Sequence, residues 1–229
     1  MKTIIIYIMM ILFFGCSPLK KFENSKSIFE NEVQKLEALI DYKKLDNYIL
    51  FIGSSSIRRW DNMVHQMAPY QVVKRGYGGA HFYDLIHFTE RLVSPHHNAK
   101  ALICFVANDI SGEDKDLSSK EVFRLFKFFT RQVHRIHPEL PIYFIEITPT
   151  PSRWKVWDQI SDVNSKVQRH ADNQRLINFI STQKKFLGPK GRPLPDLFVS
   201  DSLHLNDKAY WLWSEIIKNK LTQIQPSLN

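Results

Sequence analysis

The stretch YILFIGSSSIRRW, residues 48–60, joins an apolar run to a glycine, three serines and two arginines. Its first five residues combine aliphatic, β-branched and aromatic side chains, a composition typical of a buried strand. A turn needs only one or two small polar residues, so the third serine has no evident structural reason. The stretch therefore predicts a strand over 48–52 that runs into Gly53, followed by a turn that carries candidate nucleophiles.

Apolar runs of the same kind recur along the chain and alternate with segments of helical periodicity. Four more strands are predicted, over residues 70–74, 101–107, 142–147 and 176–180. Helices are predicted within 27–44 and over 82–93, 119–136, 152–170 and 207–221. Ser118 and Glu121 form a capping-box signature for the third of these helices, and Asn206 is a natural N-cap for the last.

The alternation of strands and helices decides the fold class. Strand–helix–strand units form right-handed crossovers between parallel strands, and near-continuous apolar strands suit a sheet that is covered on both faces. The sequence predicts an α/β fold, a three-layer α/β/α sandwich around a central parallel sheet of about five strands. Residues 26–229 are expected to form one domain, because the sequence shows no repeat and no second core.

The N-terminus differs from the rest of the chain. Residues 1–16, MKTIIIYIMMILFFGC, place one lysine before an apolar run that ends on Gly15-Cys16. The run is too short to span a bilayer, which needs roughly 20 apolar residues. It is typical of a secretory signal peptide, and its Gly-Cys end resembles the lipobox of bacterial lipoproteins, which implies lipidation of Cys16.

Residues 17–25 are then expected to be a polar tether. The protein is predicted to be exported and held in the bacterial cell envelope, in the periplasm or at the cell surface. A lipid anchor is its only expected contact with the membrane. A plain signal peptide and an uncleaved anchor remain the alternatives.

Composition argues against several classes of function. The net charge is +8, but the 31 lysines and arginines are scattered among 23 acidic residues, and no basic block alternates with aromatic residues. We therefore expect no nucleic-acid partner. His96 and His97 lie in a loop and are expected to be solvated, and no second cluster of ligands suggests a metal or a cofactor. Cys104 stands alone in an apolar run and is expected in the core.

Polar segments follow the predicted strands, and ligands collect at the carboxyl ends of parallel strands. The segments are GSSS (53–56), RGYGGAH (75–81), VANDISG (106–112) and TPTPSRW (148–154), with SDSLHLN (200–206) before the last helix. Each alone is weak. Serines after strands commonly cap helices, and the glycine-rich segment lacks the remainder of either nucleotide-binding motif.

Together the segments supply the parts for acyl transfer. A serine hydroxyl is a poor nucleophile unless a histidine removes its proton, and the histidine needs a carboxylate to hold its tautomer. Asp201 and His204 are three residues apart, so the carboxylate can reach one imidazole nitrogen while the other faces the cleft. A glycine N–H and an asparagine amide from neighbouring strand ends can bind the developing oxyanion.

The order of these blocks resembles that of the SGNH (GDSL-like) hydrolases. FIGSSSIRRW (51–60), VVKRGYGGAHFYDL (72–85) and DSLHLNDKAYWLW (201–213) are most similar to the branch that resembles platelet-activating-factor acetylhydrolase. The resemblance extends over about residues 48–217 and implies the flavodoxin-like SGNH hydrolase fold. Position by position, it implies roles for five residues: Ser55 as nucleophile, Asp201 and His204 as acid and base, and Ser55, Gly79 and Asn108 as oxyanion donors.

Two positions depart from the family pattern. Ser54 stands where relatives carry an aspartate, and Val106 stands where a glycine is common. Neither position performs the chemistry, so the shape of the site is what they put in doubt. Ser56 is expected to help start the next helix, and Arg58 and Arg59 are expected to be solvated.

Other residues near the strand ends have two interpretations each. Arg75, Asp84 and Asp109 are expected either to brace the site from behind or to form surface salt bridges. Arg153, Trp154 and Trp157 follow the fourth strand and could line the substrate cleft, although a tryptophan pair at helical spacing also fits the core.

The sequence thus predicts an exported serine esterase or deacylase that acts on acyl esters of a small molecule or a glycan, with short acyl chains and O-acetyl carbohydrates as candidates. Two alternatives stay open. One is a non-catalytic glycan-binding or structural lipoprotein on the same fold, and the other is an O-acyltransferase with the same triad. Acyl-chain length, the alcohol half of the substrate and the oligomeric state do not follow from the sequence.

Overall fold

The apolar run after residue 47 forms the buried strand β1, which pairs in parallel with a strand on each side. This arrangement comes from a computed structural model that describes Phe22 and residues 28–224. In that part of the chain, five strands form one parallel sheet in the order β2-β1-β3-β4-β5. The strands are β1 (Tyr48–Gly53), β2 (Val72–Gly76), β3 (Ala99–Phe105), β4 (Ile142–Ile145) and β5 (Ile177–Ile180).

The helices alternate with the strands as the sequence predicts. The described helices are α1 (Glu30–Glu37), α2 (Ser55–Arg58), α3 (Met63–Met67), α4 (Phe82–Val93), α5 (Ser119–Ile136), α6 (Trp157–Ala171), α7 (Gln183–Phe186) and α8 (Asp207–Ile224). The predicted caps are confirmed: Ser118 accepts the backbone N–H of Glu121 at the start of α5, and Asn206 accepts that of Ala209 at the start of α8.

The helices cover both faces of the sheet, which confirms the predicted three-layer fold. On one side α4, α5 and α6 pack in a row, with α1 beside α4, while α3 packs against α8. Right-handed crossovers explain the division: the chain moves one way from β1 to β2 and the opposite way from β2 to β3, so the two connections lie on opposite faces. No helix in the described part is long and apolar enough to cross a membrane.

The first helix is shorter than predicted. Its periodicity suggested a helix that continues through Leu39 and Ile40, but α1 ends at Glu37, and these two side chains are 45% and 63% exposed. The carbonyl of Leu39 accepts a hydrogen bond from the Arg75 guanidinium at 3.2 Å, in place of a bond within a continued helix. A distant buried arginine thus accompanies the end of the helix, which local periodicity does not reveal.

The predicted signal peptide (1–16), with Cys16, lies outside the described residues, as does the predicted tether (17–25) except for Phe22. The ring of Phe22 stacks on that of Tyr83 at the start of α4, with centroids 4.1 Å apart. At least this residue of the predicted tether therefore contacts the folded domain.

Candidate active site

The turn after β1 is shaped by Gly53. Its φ is +140°, and an added Cβ would lie 2.0 Å from the carbonyl oxygen of Phe105 on β3. Only glycine allows this approach. The next residue, Ser54, donates its N–H to that same carbonyl at 2.9 Å and is 2% exposed. The turn therefore locks the end of β1 to β3 and begins α2 at Ser55, so the N-cap position is Ser54 rather than Ser56.

Ser55, His204 and Asp201 lie in hydrogen-bonding contact. His204 Nε2 is 3.0 Å from Ser55 Oγ, and His204 Nδ1 is 2.6 Å from Asp201 Oδ2. A carboxylate accepts hydrogen bonds, so its contact assigns the imidazole proton to Nδ1 and leaves Nε2 free to accept from the serine hydroxyl. The three side chains therefore have the geometry that general-base activation of a serine requires.

Asp201 is held ionised by the turn that carries it. Burial by itself raises its pKa, but hydrogen bonds from the backbone and ring of His204 and from the N–H of Leu203 lower the pKa to about 2. Between these residues, Ser202 has a φ of +59°, which is uncommon for a residue with a side chain. The carbonyl of Ser202 accepts the N–H of Ser152 at 3.1 Å, so the loop after β4 supports this strained turn.

The predicted oxyanion residues Gly79 and Asn108 are linked by a hydrogen bond from Asn108 to the residue that follows Gly79. Asn108 Nδ2 donates to the carbonyl of Ala80, next to Gly79, at 2.9 Å. Gly79 has a φ of +76°, in the left-handed region that favours glycine. Both residues follow strands that flank β1, and Ser55 follows β1 itself. The sheet order thus brings all three candidate donors to the carboxyl ends of three adjacent strands.

Arg153 lies against Asn108. Its two terminal nitrogens donate to Asn108 Oδ1 at 2.8 Å and to the carbonyl of Ala107 at 2.6 Å. The sequence predicts Arg153 as a residue that contacts the substrate or supports the site from behind, and these contacts match support.

Asp109 and Asp84 are buried and make internal hydrogen bonds. The alternative that they form surface salt bridges is therefore wrong for both. Asp109 accepts the N–H of Phe82, the first residue of α4, at 3.2 Å, and Asp84 accepts the hydroxyl of Tyr77 at 2.5 Å and the N–H of His81 at 2.9 Å. Burial raises the pKa of Asp109 to about 7, although the nearby His81 opposes the rise. For His81, burial lowers the pKa, but the carboxylates of Asp84 and Asp109 outweigh it and raise the pKa overall.

Arg75 is not brought to the site. It is 2% exposed, and its guanidinium bonds Asp41, the carbonyl of Leu39 and the carbonyl of Lys74. None of these partners is Ser55, Asp201 or His204, and none lies in residues 77–81, the loop that carries Gly79 and that we call the oxyanion loop. The partly exposed ion pair with Asp41 fits neither predicted role closely, because Arg75 itself is buried and supports the end of α1.

The two tryptophans pack against each other rather than standing free. Trp154 and Trp157 stack with centroids 5.6 Å apart, and Trp157 is buried. The guanidinium of Arg192 lies 5.2 Å from the centre of the Trp154 ring. The core interpretation holds for Trp157, and Trp154 is half-buried at its edge.

The expectation of solvated loop histidines is wrong for His96. It is 2% exposed, and its Nδ1 lies 2.8 Å from the hydroxyl of Tyr48. Burial lowers the pKa of His96 to about 4, which keeps the ring neutral in the core. Within the described residues, no three His, Cys, Asp or Glu side chains form a group that could hold a metal ion.

Sequence reasoning missed the residues that cover the glycine pair of the oxyanion loop. Glu32 on α1 accepts the N–H of Gly78 at 3.2 Å, and the ring of Phe29 would lie 3.4 Å from a Cβ on Gly79. Arg58, expected to be solvated, is half-exposed, lies 3.8 Å from Glu32 and extends over Gly78. No local pattern marks these residues, because their position depends on how α1 packs against the domain.

The fold is shared with solved structures of low sequence identity. A Streptococcus pneumonia protein named after platelet activating factor gives a TM-score of 0.74 at 21% identity, over 89% of this chain and 97% of that one. A GDSL-like lipase from Bacteroides thetaiotaomicron gives a TM-score of 0.65 at 15% identity, over 86% and 97%. A family 3 carbohydrate esterase from Talaromyces cellulolyticus gives 0.58 at 14% identity, over 77% and 97%.

No protein-family model matches the sequence, and no curated protein matches it at a significant level. At identities of 14–21% the structural likeness bears on the fold alone. Its five-stranded parallel sheet with helices on both faces is the fold of the GDSL/SGNH lipolytic proteins.

Proposed function

We propose that this protein is a serine ester hydrolase in which Ser55 is the nucleophile, His204 the general base and Asp201 the residue that orients His204. The observation that carries the proposal is the pair of contacts through His204, 3.0 Å to Ser55 Oγ and 2.6 Å to Asp201 Oδ2. Three residues that meet in this order, from two distant segments, are the requirement for an activated serine.

In the acylation step, Ser55 Oγ attacks the ester carbonyl carbon while its proton moves to His204 Nε2. The imidazolium is stabilised by the carboxylate of Asp201, which the turn keeps ionised. The negative charge that develops on the carbonyl oxygen is bound by the N–H of Ser55, the N–H of Gly79 and the amide of Asn108. The carbon–oxygen bond to the alcohol then breaks, and the alcohol leaves with the proton from His204.

The second step returns the enzyme to its starting state. A water molecule attacks the acyl-enzyme and gives a proton to His204 Nε2, and the oxyanion forms again at the same donors. When the bond to Ser55 Oγ breaks, the serine takes back the proton and the carboxylic acid departs. One imidazole carries every proton in both steps, so the scheme needs no second acid or base.

The test compares purified wild type with Ser55→Ala on p-nitrophenyl acetate. We expect the variant to fall to the rate of buffer, and a fluorophosphonate probe to label wild type but not the variant. Ser56→Ala is the matched control, because Ser56 is buried and contacts Tyr210 through its carbonyl, which the substitution keeps. Equal rates for wild type and Ser55→Ala would refute the proposal.

For the substrate we propose a short-chain acyl ester, with O-acetyl groups on carbohydrates as the leading candidate. A carbohydrate esterase among the proteins of similar fold supports this choice, as does the expected location in the cell envelope. A panel of acetylated sugars and p-nitrophenyl esters of increasing chain length tests it. A preference for long acyl chains over acetate would contradict it, and transfer to an added alcohol that outruns hydrolysis would indicate the acyltransferase.

We also propose that the protein is exported and lipid-anchored through Cys16. The support is the short apolar run before Gly15-Cys16. Wild type expressed in a bacterial host should partition into the detergent phase of Triton X-114 and incorporate labelled palmitate, and Cys16→Ser should do neither. Palmitate labelling that survives Cys16→Ser would contradict this assignment.

A further inference from the structure

Both ends of the Asn108 side-chain amide are hydrogen-bonded. Its oxygen accepts from Arg153 at 2.8 Å, and its nitrogen donates to the carbonyl of Ala80 at 2.9 Å. A guanidinium can only donate and a carbonyl can only accept, so each partner independently requires the same orientation of the amide. The usual ambiguity between the oxygen and the nitrogen of an asparagine side chain is thereby removed.

This orientation leaves one N–H of Asn108 Nδ2 uncommitted among its described bonds. A primary amide carries two N–H donors, and the carbonyl of Ala80 takes one of them. In the opposite orientation the amide oxygen would face the oxyanion and repel it. The direction of the amide therefore decides whether Asn108 stabilises or opposes the developing charge.

We infer that Arg153 is a positioning residue for ester hydrolysis, which holds the amide of Asn108 with its nitrogen toward the oxyanion. The inference rests on the proposed function, since it assigns Arg153 a role in that reaction. The guanidinium also places a positive charge on the oxygen side of the amide, which polarises the N–H groups on the other side.

The backbone around Arg153 supports this role. The guanidinium donates hydrogen bonds to the carbonyl of Ala107 and to the side chain of Asn108. It therefore holds two consecutive residues that follow β3. Its own backbone N–H donates to Thr150 Oγ1 at 3.3 Å. The N–H of the preceding residue, Ser152, donates to the carbonyl of Ser202 in the turn of residues 201–204, which we call the acid–base turn. The loop after β4 thus contacts both the oxyanion side and the acid–base side of the site.

A double-mutant cycle tests the inference, with Arg153→Met, Asn108→Ala and the combination measured on p-nitrophenyl acetate. Arg153→Met should lower kcat about 10- to 100-fold with KM changed less than about threefold, somewhat less than the loss of a whole oxyanion donor. In the Asn108→Ala background the same substitution should change kcat less than about twofold, because its target is gone. The rate of Ser55→Ala gives the background, and the rate of each variant in the cycle must exceed it to be interpreted.

Two more variants keep the cycle interpretable. Arg153→Lys retains one charge but not the two-pronged donor, so its kcat should lie between those of wild type and Arg153→Met. Arg175→Met removes an equal charge from an exposed pair with Glu139 and should leave kcat unchanged. If Arg153→Met melts before assay, Arg153→Lys alone carries the comparison in both backgrounds.

Three results would overturn the inference. They are a wild-type kcat in Arg153→Met, an equal loss in the presence and absence of Asn108, and a change confined to KM, which would mean that Arg153 binds substrate directly.

A spectroscopic measurement separates this inference from the proposed function. The side-chain amide of Asn108 gives a ¹H–¹⁵N resonance pair that is assigned by its loss in Asn108→Ala. Arg153→Met should shift that pair and Arg175→Met should not, whether or not the protein hydrolyses any ester tested. An unshifted pair refutes the positioning role, whereas an inactive wild type refutes only the proposed function.

Discussion

Asp201 performs two tasks with its two oxygens. Oδ1 accepts the backbone N–H groups of Leu203 and His204, both at 2.9 Å, and Oδ2 accepts the ring N–H of His204. One oxygen therefore shapes the turn and the other orients the imidazole ring of His204. The division makes the two tasks separable by a substitution that changes one oxygen only.

Asp201→Asn should reduce kcat by about 10³- to 10⁴-fold, the range seen when a triad carboxylate becomes an amide. The amide oxygen can still accept the two backbone N–H groups, while the amide nitrogen donates to His204 Nδ1 and moves the ring proton to Nε2, where it blocks the serine. Measured kcat should fall while the melting temperature changes little. Asp196→Asn, an exposed neighbour paired with Lys208, is the control. A variant that keeps a third of wild-type kcat would exclude the assigned role.

Asp109 should make stability depend on pH. Burial raises its pKa to about 7 in the folded protein, above the value of about 3.9 for an unfolded chain. The folded state therefore holds the proton more tightly, so the stabilisation is complete below about pH 4 and is lost as pH rises through 7. The positive charge of His81 lowers the pKa of Asp109, and the negative charge of Asp84 raises it further.

Urea unfolding at pH 5 and pH 8 measures this effect. The unfolding free energy of wild type relative to Asp109→Asn should fall between the two pH values by a few kcal/mol, on the order of 1.4 kcal/mol per unit of pKa difference. Asp172→Asn, at an exposed position after α6, is the charge-matched control. A difference that stays constant or rises with pH would contradict the elevated pKa.

At the scale of elements, the contact between α1 and the oxyanion loop is the one for which we expect a functional consequence. Glu32 and Phe29 lie against Gly78 and Gly79, and the ring of Phe29 also packs on Tyr77 at 5.1 Å. A glycine pair has few side-chain contacts of its own, so an outside element must restrict its backbone. The first helix of the domain therefore holds one of the three candidate oxyanion donors.

The combination of Phe29→Ala and Glu32→Ala should lower kcat about tenfold, because small displacements of a donor have large effects on rate. Glu37→Ala is a control on the same helix, since Glu37 bonds Arg91 instead of the loop. Glu32→Gln should retain most of the activity because an amide oxygen can still accept the N–H of Gly78. If the double variant matches the Glu37→Ala rate, the contact has no influence on the site.

At the scale of the whole molecule, the sheet order brings the candidate site together. The chain leaves β1 for β2 on one side and returns to β3 on the other, so the loops after β1 and β3 diverge at this switch point. Ser55 and Asn108 follow these two strands. The acid–base turn is brought to the same place by α8, whose Tyr210 hydroxyl donates to the carbonyl of Ser56 at 2.9 Å.

A chain that begins at residue 22 should keep the melting temperature and the p-nitrophenyl acetate activity of the full-length protein. The sheet, the site and the contact of Phe22 with Tyr83 all lie within it. A chain that begins at residue 39 lacks α1 and should lose activity about as far as the double variant in that helix, since both remove the cover of the glycine pair. Equal activity of the two shortened chains would refute a role for α1.

The strand positions, most helices and their caps could be predicted because they depend on local rules. Apolar runs, helical periodicity and the Ser118–Glu121 capping box act between residues that are near in sequence. The order of polar segments at the strand ends, with their resemblance to a known family, led to Ser55, Asp201 and His204 as candidates, and the structure brings these three side chains into contact. Their mutual contact follows from the fold class only in outline.

The tertiary structure alone decided which distant partners meet. Ser55 and His204 are 149 residues apart, Arg153 and Asn108 are 45 apart, and Glu32 and Gly78 are 46 apart. The same holds for Arg75, whose sequence position suggests the site but whose partner is Asp41. Such pairings arise from how layers pack around a sheet, and a local pattern contains no information about them. The sequence by itself therefore determined which residue types are available for the site. The packing of the tertiary structure decided the hydrogen bonds that orient them.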